Sequence, residues 1–261
     1  SRREWFGTAC CPSNIARLVT SVGNYIYNSS ENAIWINLFV GSKTNITLDK
    51  SNIGLEMETG LPWKGNVRIR VDPAKRKEFA LHLRIPGWLT TPAPGNLYHY
   101  ADKQELRPEI KINGESVTYS TENGYAVITR KWKKGDEISM DLPMQVRRIE
   151  SNEAVKQDRG RIALQYGPLV YCVEGADNAN AVQGLIVPAS TKFSTQFEPG
   201  LLGGINTIRF EAPVVRISAD GLEAQTKRQE ITAIPYFSWN NRGANPMQLW
   251  LPTKINEIAI D

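Results

Sequence analysis

From Asn32 onward the chain reads as short segments rich in Val, Ile, Thr, Tyr and Phe, divided by Gly, Pro, Asn or Asp. That pattern is the signature of strands rather than helices. Candidate strands cover 33–40, 45–48, 54–58, 67–71, 79–85, 110–112, 125–129 and 137–142. A later set covers 145–149, 161–166, 169–173, 185–187, 207–210, 214–217, 230–234 and 248–251. Parallel sheets need crossover helices, and no helical pattern separates these strands, so the expected architecture is antiparallel. One sandwich uses about seven to nine strands, so the count implies two sandwiches. Asn113-Gly114, Glu122-Asn123-Gly124 and Lys134-Gly135-Asp136 read as tight turns, the first as a hairpin.

The single helical signal stands at the head of the chain. Pro12 suits a first helical position, and Ile15, Leu18, Val19, Val22 and Ile26 follow at helical spacing before the pattern fades at Asn28. A lone amphipathic helix must bury its stripe, either on the sheets or against partners upstream. The second is favoured, because Ser1 opens neither with Met nor with a targeting segment and reads as a cut inside a longer protein.

With 261 residues and 41% apolar side chains the chain can bury a sizeable core, and 22% charged residues argue against disorder. A scattered net charge of +4 is too mild to imply nucleic acid or a membrane surface. Three cysteines, two of them adjacent at Cys10 and Cys11, do not form a disulfide framework. They point to a reduced setting, thiol chemistry or a metal. The pair precedes a helix, whose N-terminus favours negative charge, and both sulfurs can reach one ion if the backbone bends. Zinc takes about four ligands, and the pair supplies two. Spacing alone leaves burial as apolar residues and a strained vicinal disulfide open.

Other candidates read as structural. Cys172 lies in an apolar strand, His82 in an alternating one, and His99 in a Pro-rich loop, so no histidine constellation forms. Trp63, Trp88, Trp132 and Trp239 sit at turns or strand ends, where core packing outweighs sugar stacking. Residues 236–243 are aromatic and amide-rich, without an assignable substrate role. Lys131, Lys133, Lys134 and the charged residues of 72–77 read as solvated faces. The loop 90–108 reads as an insertion within one sandwich, and the polar stretch 150–160 as a domain boundary.

The run Trp5-Phe6-Gly7-Thr8-Ala9-Cys10-Cys11-Pro12-Ser13-Asn14-Ile15-Ala16-Arg17 resembles the Cys-Cys-Pro-x-Asn-x-x-Arg signature of glycoside hydrolase family 127, the β-L-arabinofuranosidases. The resemblance continues through Leu83-Arg84-Ile85-Pro86-Gly87-Trp88, Gly167-Pro168-Leu169-Val170-Tyr171 and the block from Ile234 to Gly243, in the expected order.

This resemblance implies an (α/α)6 catalytic barrel followed by two jelly-roll-like β-sandwiches, the second inserted into the first. Residues 1–31 would then be the last helix of the barrel and its active-site motif. The first sandwich would take 32–148 and 235–261, and the second 149–234. Cys10 would be the nucleophile of a retaining hydrolysis, forming a thioglycosyl intermediate. Cys10 and Cys11 would ligate zinc with a further cysteine and a glutamate that lie upstream, and the general acid/base would lie upstream as well. The substrate would be a small carbohydrate ending in β-L-arabinofuranose or a related sugar, with no nucleic acid or membrane partner. The isolated chain is expected to be inactive. Competing expectations are a non-catalytic carbohydrate-binding or structural β-sandwich module, and a redox-active dithiol protein. The sequence leaves oligomeric state and compartment (cytoplasmic or periplasmic) open.

Overall fold

The computed structural model describes residues 7–93, 96–217 and 224–255. Among these, one α-helix, Cys10–Ser21, precedes a chain of strands, and all but one of the strand pairings are antiparallel. The chain divides into two compact units.

The first unit comprises residues 4–89 and 106–143. Its five-stranded sheet runs Tyr27–Ser29, Ala33–Ile36, Lys77–Arg84, Tyr125–Trp132, Ser120–Glu122. Its six-stranded sheet runs Ser42–Leu48, Ser51–Thr59, Asn66–Pro73, Asp136–Asp141, Glu109–Ile112, Glu115–Ser116. Period-two alternation decides which face each strand buries. Ile34, Ile36, Phe79, Leu81, Leu83 and Trp132 from one sheet share a core with Leu55, Met57, Ile69, Val71, Ile138 and Met140 from the other. This is a β-sandwich. Its exception to the antiparallel rule is the pair Ala33–Ile36 and Lys77–Arg84, which runs parallel. The crossover between them is three strands of the opposite sheet rather than a helix.

The Asn-Gly turns form as expected. Asn113 and Gly114 adopt φ of 52° and 86°, and Asn123 and Gly124 adopt 50° and 81°, the left-handed pair that a two-residue hairpin turn demands. Asp136, fully buried, accepts from the Asn113 carboxamide and the Lys133 N–H, each at 3.0 Å, so its charge is spent on holding two turns.

The second unit takes, of the described residues, those of 90–105 and of 144–255. Its sheet runs Ser194–Glu198, Ile205–Ile217, Ala224–Pro235, Leu169–Glu174, Arg161–Tyr166, Val146–Ser151, Tyr98–Tyr100. The arms of the 161–174 hairpin pair with each other only at 164–166 and 169–171. Beyond that, Val173 pairs with Gln248 and Ile162 with Leu251, so residues 247–252 serve both arms. One face carries the main core of Leu164, Val173, Ile208, Phe210 and Ile231, and a smaller cluster gathers Tyr100, Ile149 and Ala163.

The strand pairing corrects the expected domain limits. Residues 235–255 do not return to the first sandwich, because Met247–Gln248 and Leu251–Pro252 are strands of the second sheet. The excursion runs the other way. The stretch 90–105, expected as an insertion within the first sandwich, pairs Tyr98–Tyr100 with Val146–Ser151 of the second unit. What holds it there is Arg147, only 3% exposed. Its guanidinium lies 3.5 Å over the Tyr100 ring and donates to Asp102 at 3.1 Å and to the Gln104 carbonyl at 2.6 Å. His99, expected in a loop, lies on this short strand, exposed and 3.3 Å from Glu150.

Buried charge also fixes 236–246. Glu174 is fully buried and accepts from Arg242, from the Asn245 carboxamide at 3.1 Å and from the Asn240 N–H at 3.2 Å. Arg242 also bonds Asp177 at 2.6 Å. Burial pushes the Glu174 carboxyl up, but hydrogen bonds from Arg242 and Asn245 outweigh it and hold the group below the usual carboxylate range.

Two outcomes follow from these networks. Asp102→Ala strands a buried guanidinium and should lower stability by about 2–3 kcal/mol, discounted for the partial exposure of Asp102; an unchanged urea midpoint would contradict this role. The Glu174 carboxyl is depressed in the folded state, so its stabilisation is complete above the ordinary value of about 4.3. That stabilisation is lost as pH falls below this value through the folded one. Unfolding titrations from pH 6 to pH 3 should show a loss that Glu174→Gln reduces.

Candidate functional site

The helix Cys10–Ser21 begins two residues earlier than Pro12 suggests, so both cysteines lie in its first turn and Pro12 occupies the third position. Proline is tolerated there because its missing N–H is one of the first-turn donors that have no intrahelical partner. Ala9 provides no side-chain cap, and the Ser13 hydroxyl instead donates back to the Ala9 carbonyl at 2.8 Å. The α-helix ends at Ser21, a 3-10 turn covers Val22–Tyr25, and Tyr27–Ser29 is already a strand. The helical period, expected to run from Pro12 and to fade at Asn28, thus gives way to a strand at Tyr27. Ile26 leaves the helical stripe and packs, 6% exposed, in the sandwich core.

The rest of the stripe finds no cover among the described residues. Ile15, Leu18 and Val19 are 62%, 58% and 64% exposed, and no residue of the helix is buried. Successive helical residues turn by about 100°, so the adjacent cysteines head different faces. Cys11 stands above Ile15, Leu18 and Val22 on the apolar side, whereas Cys10 stands above Asn14, Arg17 and Ser21 on the polar side.

Both thiols are exposed and free, with their Sγ atoms 3.7 Å apart. In this structure the pair adopts neither of the arrangements that spacing leaves open, burial or a vicinal disulfide. Two thiolates on one tetrahedral zinc, with bonds of about 2.3 Å, stand about 3.8 Å apart, so the donor set and spacing fit two corners of such a site. No group of three or more His, Cys, Asp or Glu side chains able to hold a metal occurs among the described residues. A pair of this kind supplies two of the four ligands that a tetrahedral zinc takes.

The remaining candidates fall where a structural role puts them. Cys172 is buried in Leu169–Glu174, and burial, with the negative charge of Glu174, pushes its thiol up to about 12. His82 stacks on Trp35 at 4.4 Å. Trp132 is fully buried and donates to the Phe79 carbonyl at 3.0 Å. Tyr236 and Trp239 stack at 5.8 Å on the loop that Arg242 anchors. One cluster carried no sequence signal, because sheet register alone assembles it. Arg84 and Tyr125 are cross-strand partners, and the Tyr125 hydroxyl donates to Asn37 at 2.8 Å beside an open cleft of about 540 Å³.

No helix among the described residues is long and apolar enough to cross a membrane. Comparison with known proteins gives the family. Residues 33–144 match the model of the β-L-arabinofuranosidase, glycoside hydrolase family 127 middle domain, and residues 146–252 that of the family's C-terminal domain. A curated relative, the non-reducing end β-L-arabinofuranosidase of Bifidobacterium longum subsp. longum, is 30% identical over 95% of this chain and 38% of its own length. A solved family-127 β-arabinofuranosidase superimposes with a TM-score of 0.92 at 38% identity, covering 99% of this chain and 41% of that one. A family-127 β-L-arabinofuranosidase from Geobacillus stearothermophilus T6 gives 0.85 at 38% identity, over 96% and 38%. The chain thus spans about two fifths of the length of these relatives. With both domain models matched in order and the fold shared throughout, the chain belongs to glycoside hydrolase family 127.

Proposed function

We propose that this chain serves a retaining glycoside hydrolase that releases terminal β-L-arabinofuranose or a closely related sugar, with Cys10 as nucleophile. The observation that carries the reading is the pair of free thiols 3.7 Å apart in the first turn of an otherwise unburied helix. The relatives named above, β-L-arabinofuranosidases that align over nearly the whole chain, support the substrate class. The exposed stripe of Ile15, Leu18 and Val19 is the surface by which the helix would join further helices of the catalytic domain.

Cys10 and Cys11 would hold zinc together with two ligands from that domain, and the ion would supply the positive charge that keeps both sulfurs anionic. The Cys10 Sγ then attacks the anomeric carbon. The C1–O bond breaks, an acid from the catalytic domain protonates the departing oxygen, and an S–C1 bond holds the sugar. Water, deprotonated by the same residue, displaces the sulfur, and two inversions give net retention. Cys11, on the apolar side of the helix, acts as a ligand only.

In the full-length protein, Cys10→Ala should lower release of nitrophenol from 4-nitrophenyl β-L-arabinofuranoside by at least about a thousandfold. Acid-quenched wild-type protein should carry a pentose on the peptide containing Cys10, and an adduct elsewhere would remove Cys10 from this role. Dialysis against a chelator should abolish turnover and zinc should restore it; full activity in metal-free protein would remove the zinc.

A further inference from the structure

The polar face of the helix holds more than Cys10. Asn14 follows it by four residues and Arg17 by seven, so the three side chains stand one above another along a single strip. Cα–Cβ bonds in a helix tilt toward the N-terminus. Each of these side chains therefore leans over the turn before its own, Arg17 over Asn14 and Asn14 over Cys10. The Arg17 guanidinium donates to the Asn14 Oδ1 at 3.4 Å. That contact decides which way the carboxamide faces. A carboxamide with its oxygen drawn toward Arg17, on the C-terminal side, is free to turn its NH2 group to the N-terminal side, where Cys10 stands one turn away. Both residues are exposed, so the interior of the sandwich needs neither of them.

We infer that Asn14 is a positioning residue for the thiolate of Cys10, donating from Nδ2 to the reacting sulfur, and that Arg17 acts only through Asn14 by fixing its amide. The inference rests on the proposed nucleophilic role of Cys10. A cysteine on an exposed first turn has more than one staggered χ1 well open to its sulfur, and attack in line with the departing oxygen uses one. A single N–H donor above it selects that well and withdraws as the S–C1 bond forms. Cys11 has no such donor above it, because Ile15 occupies the equivalent place on its own face.

The test is a double-mutant cycle in the full-length protein. Asn14→Ala should lower kcat by about ten- to a hundredfold, the range for residues that orient a ligating group, with KM changed less than about threefold. Asn14→Asp, which keeps the shape and removes the N–H donor, should lose as much while the thermal midpoint stays near that of the wild type. Arg17→Met should lose less than either. The Asn14→Ala/Arg17→Met pair should be no slower than Asn14→Ala alone, because Arg17 has nothing left to act through. Wild-type kcat in Asn14→Ala or Asn14→Asp, or losses that multiply in the double variant, would overturn the inference and leave Cys10 as nucleophile. Absence of hydrolysis in the wild-type protein would instead remove both.

Discussion

The apolar layer between the two sheets of the first unit is the constraint on which the site depends. Ile34, Ile36, Leu81 and Leu83 are fully buried in one sheet, as are Ile53, Ile69 and Val71 in the other. A one-residue slip in any of these strands would turn its whole apolar set to solvent, so the register has little freedom. The edge strand of that sheet, Tyr27–Ser29, is where the chain arrives from the helix, and Ile26 is the first side chain to enter the layer. The cysteines are held in place from there.

The second unit is organised differently. Its interior admits Glu174, Asn178, Arg147 and Gln165, each buried. Asn178 donates to the carbonyls of Glu174 and Thr232 and accepts from the Thr232 N–H, doing for two strands what a ladder would otherwise do. Polar groups in such places cost stability unless every one finds a partner. They define a single arrangement for loops that have too few apolar side chains to specify one. The loop 236–246 is the clearest case, with Tyr236 and Phe237 exposed while Arg242 binds two carboxylates beneath them.

Much of this was legible in the residues. The alternation of 77–84 and 125–132, and the Asn-Gly pairs at 113–114 and 123–124, lead directly to strands and hairpins that form. The adjacent cysteines, Pro12 and the helical stripe locate the site, and the family signature gives its chemistry an expectation. What was not legible is long-range pairing. Nothing in 90–105 announces that its Tyr98–Tyr100 will pair with Val146–Ser151, because the interaction that decides it is between Asp102 and Arg147, 45 residues apart. The return of 247–252 to the second sheet is similarly a matter of two hairpin arms parting, which no local pattern encodes. Ile26 continues the helical period of Val22 and still belongs to a sheet core, since tertiary burial overrides local period.

The junction between helix and sandwich has a mechanical reading. Between Cys10 and Ile26 the chain is continuous helix, α then 3-10, with no flexible linker before the edge strand. At about 1.5 Å per α-helical and 2.0 Å per 3-10 residue, the thiols sit at the tip of a beam up to about 26 Å long. Among the described residues, its fixed end is the clamp at Ile26. A tilt of roughly 5° at that clamp would carry the sulfurs about 2 Å, against the roughly 1 Å of misplacement that can cost a reaction about a hundredfold. Under the proposed role of Cys10, the sandwich would be the bearing of the nucleophile, and its stiffness would set a tolerance on chemistry carried out well away from it.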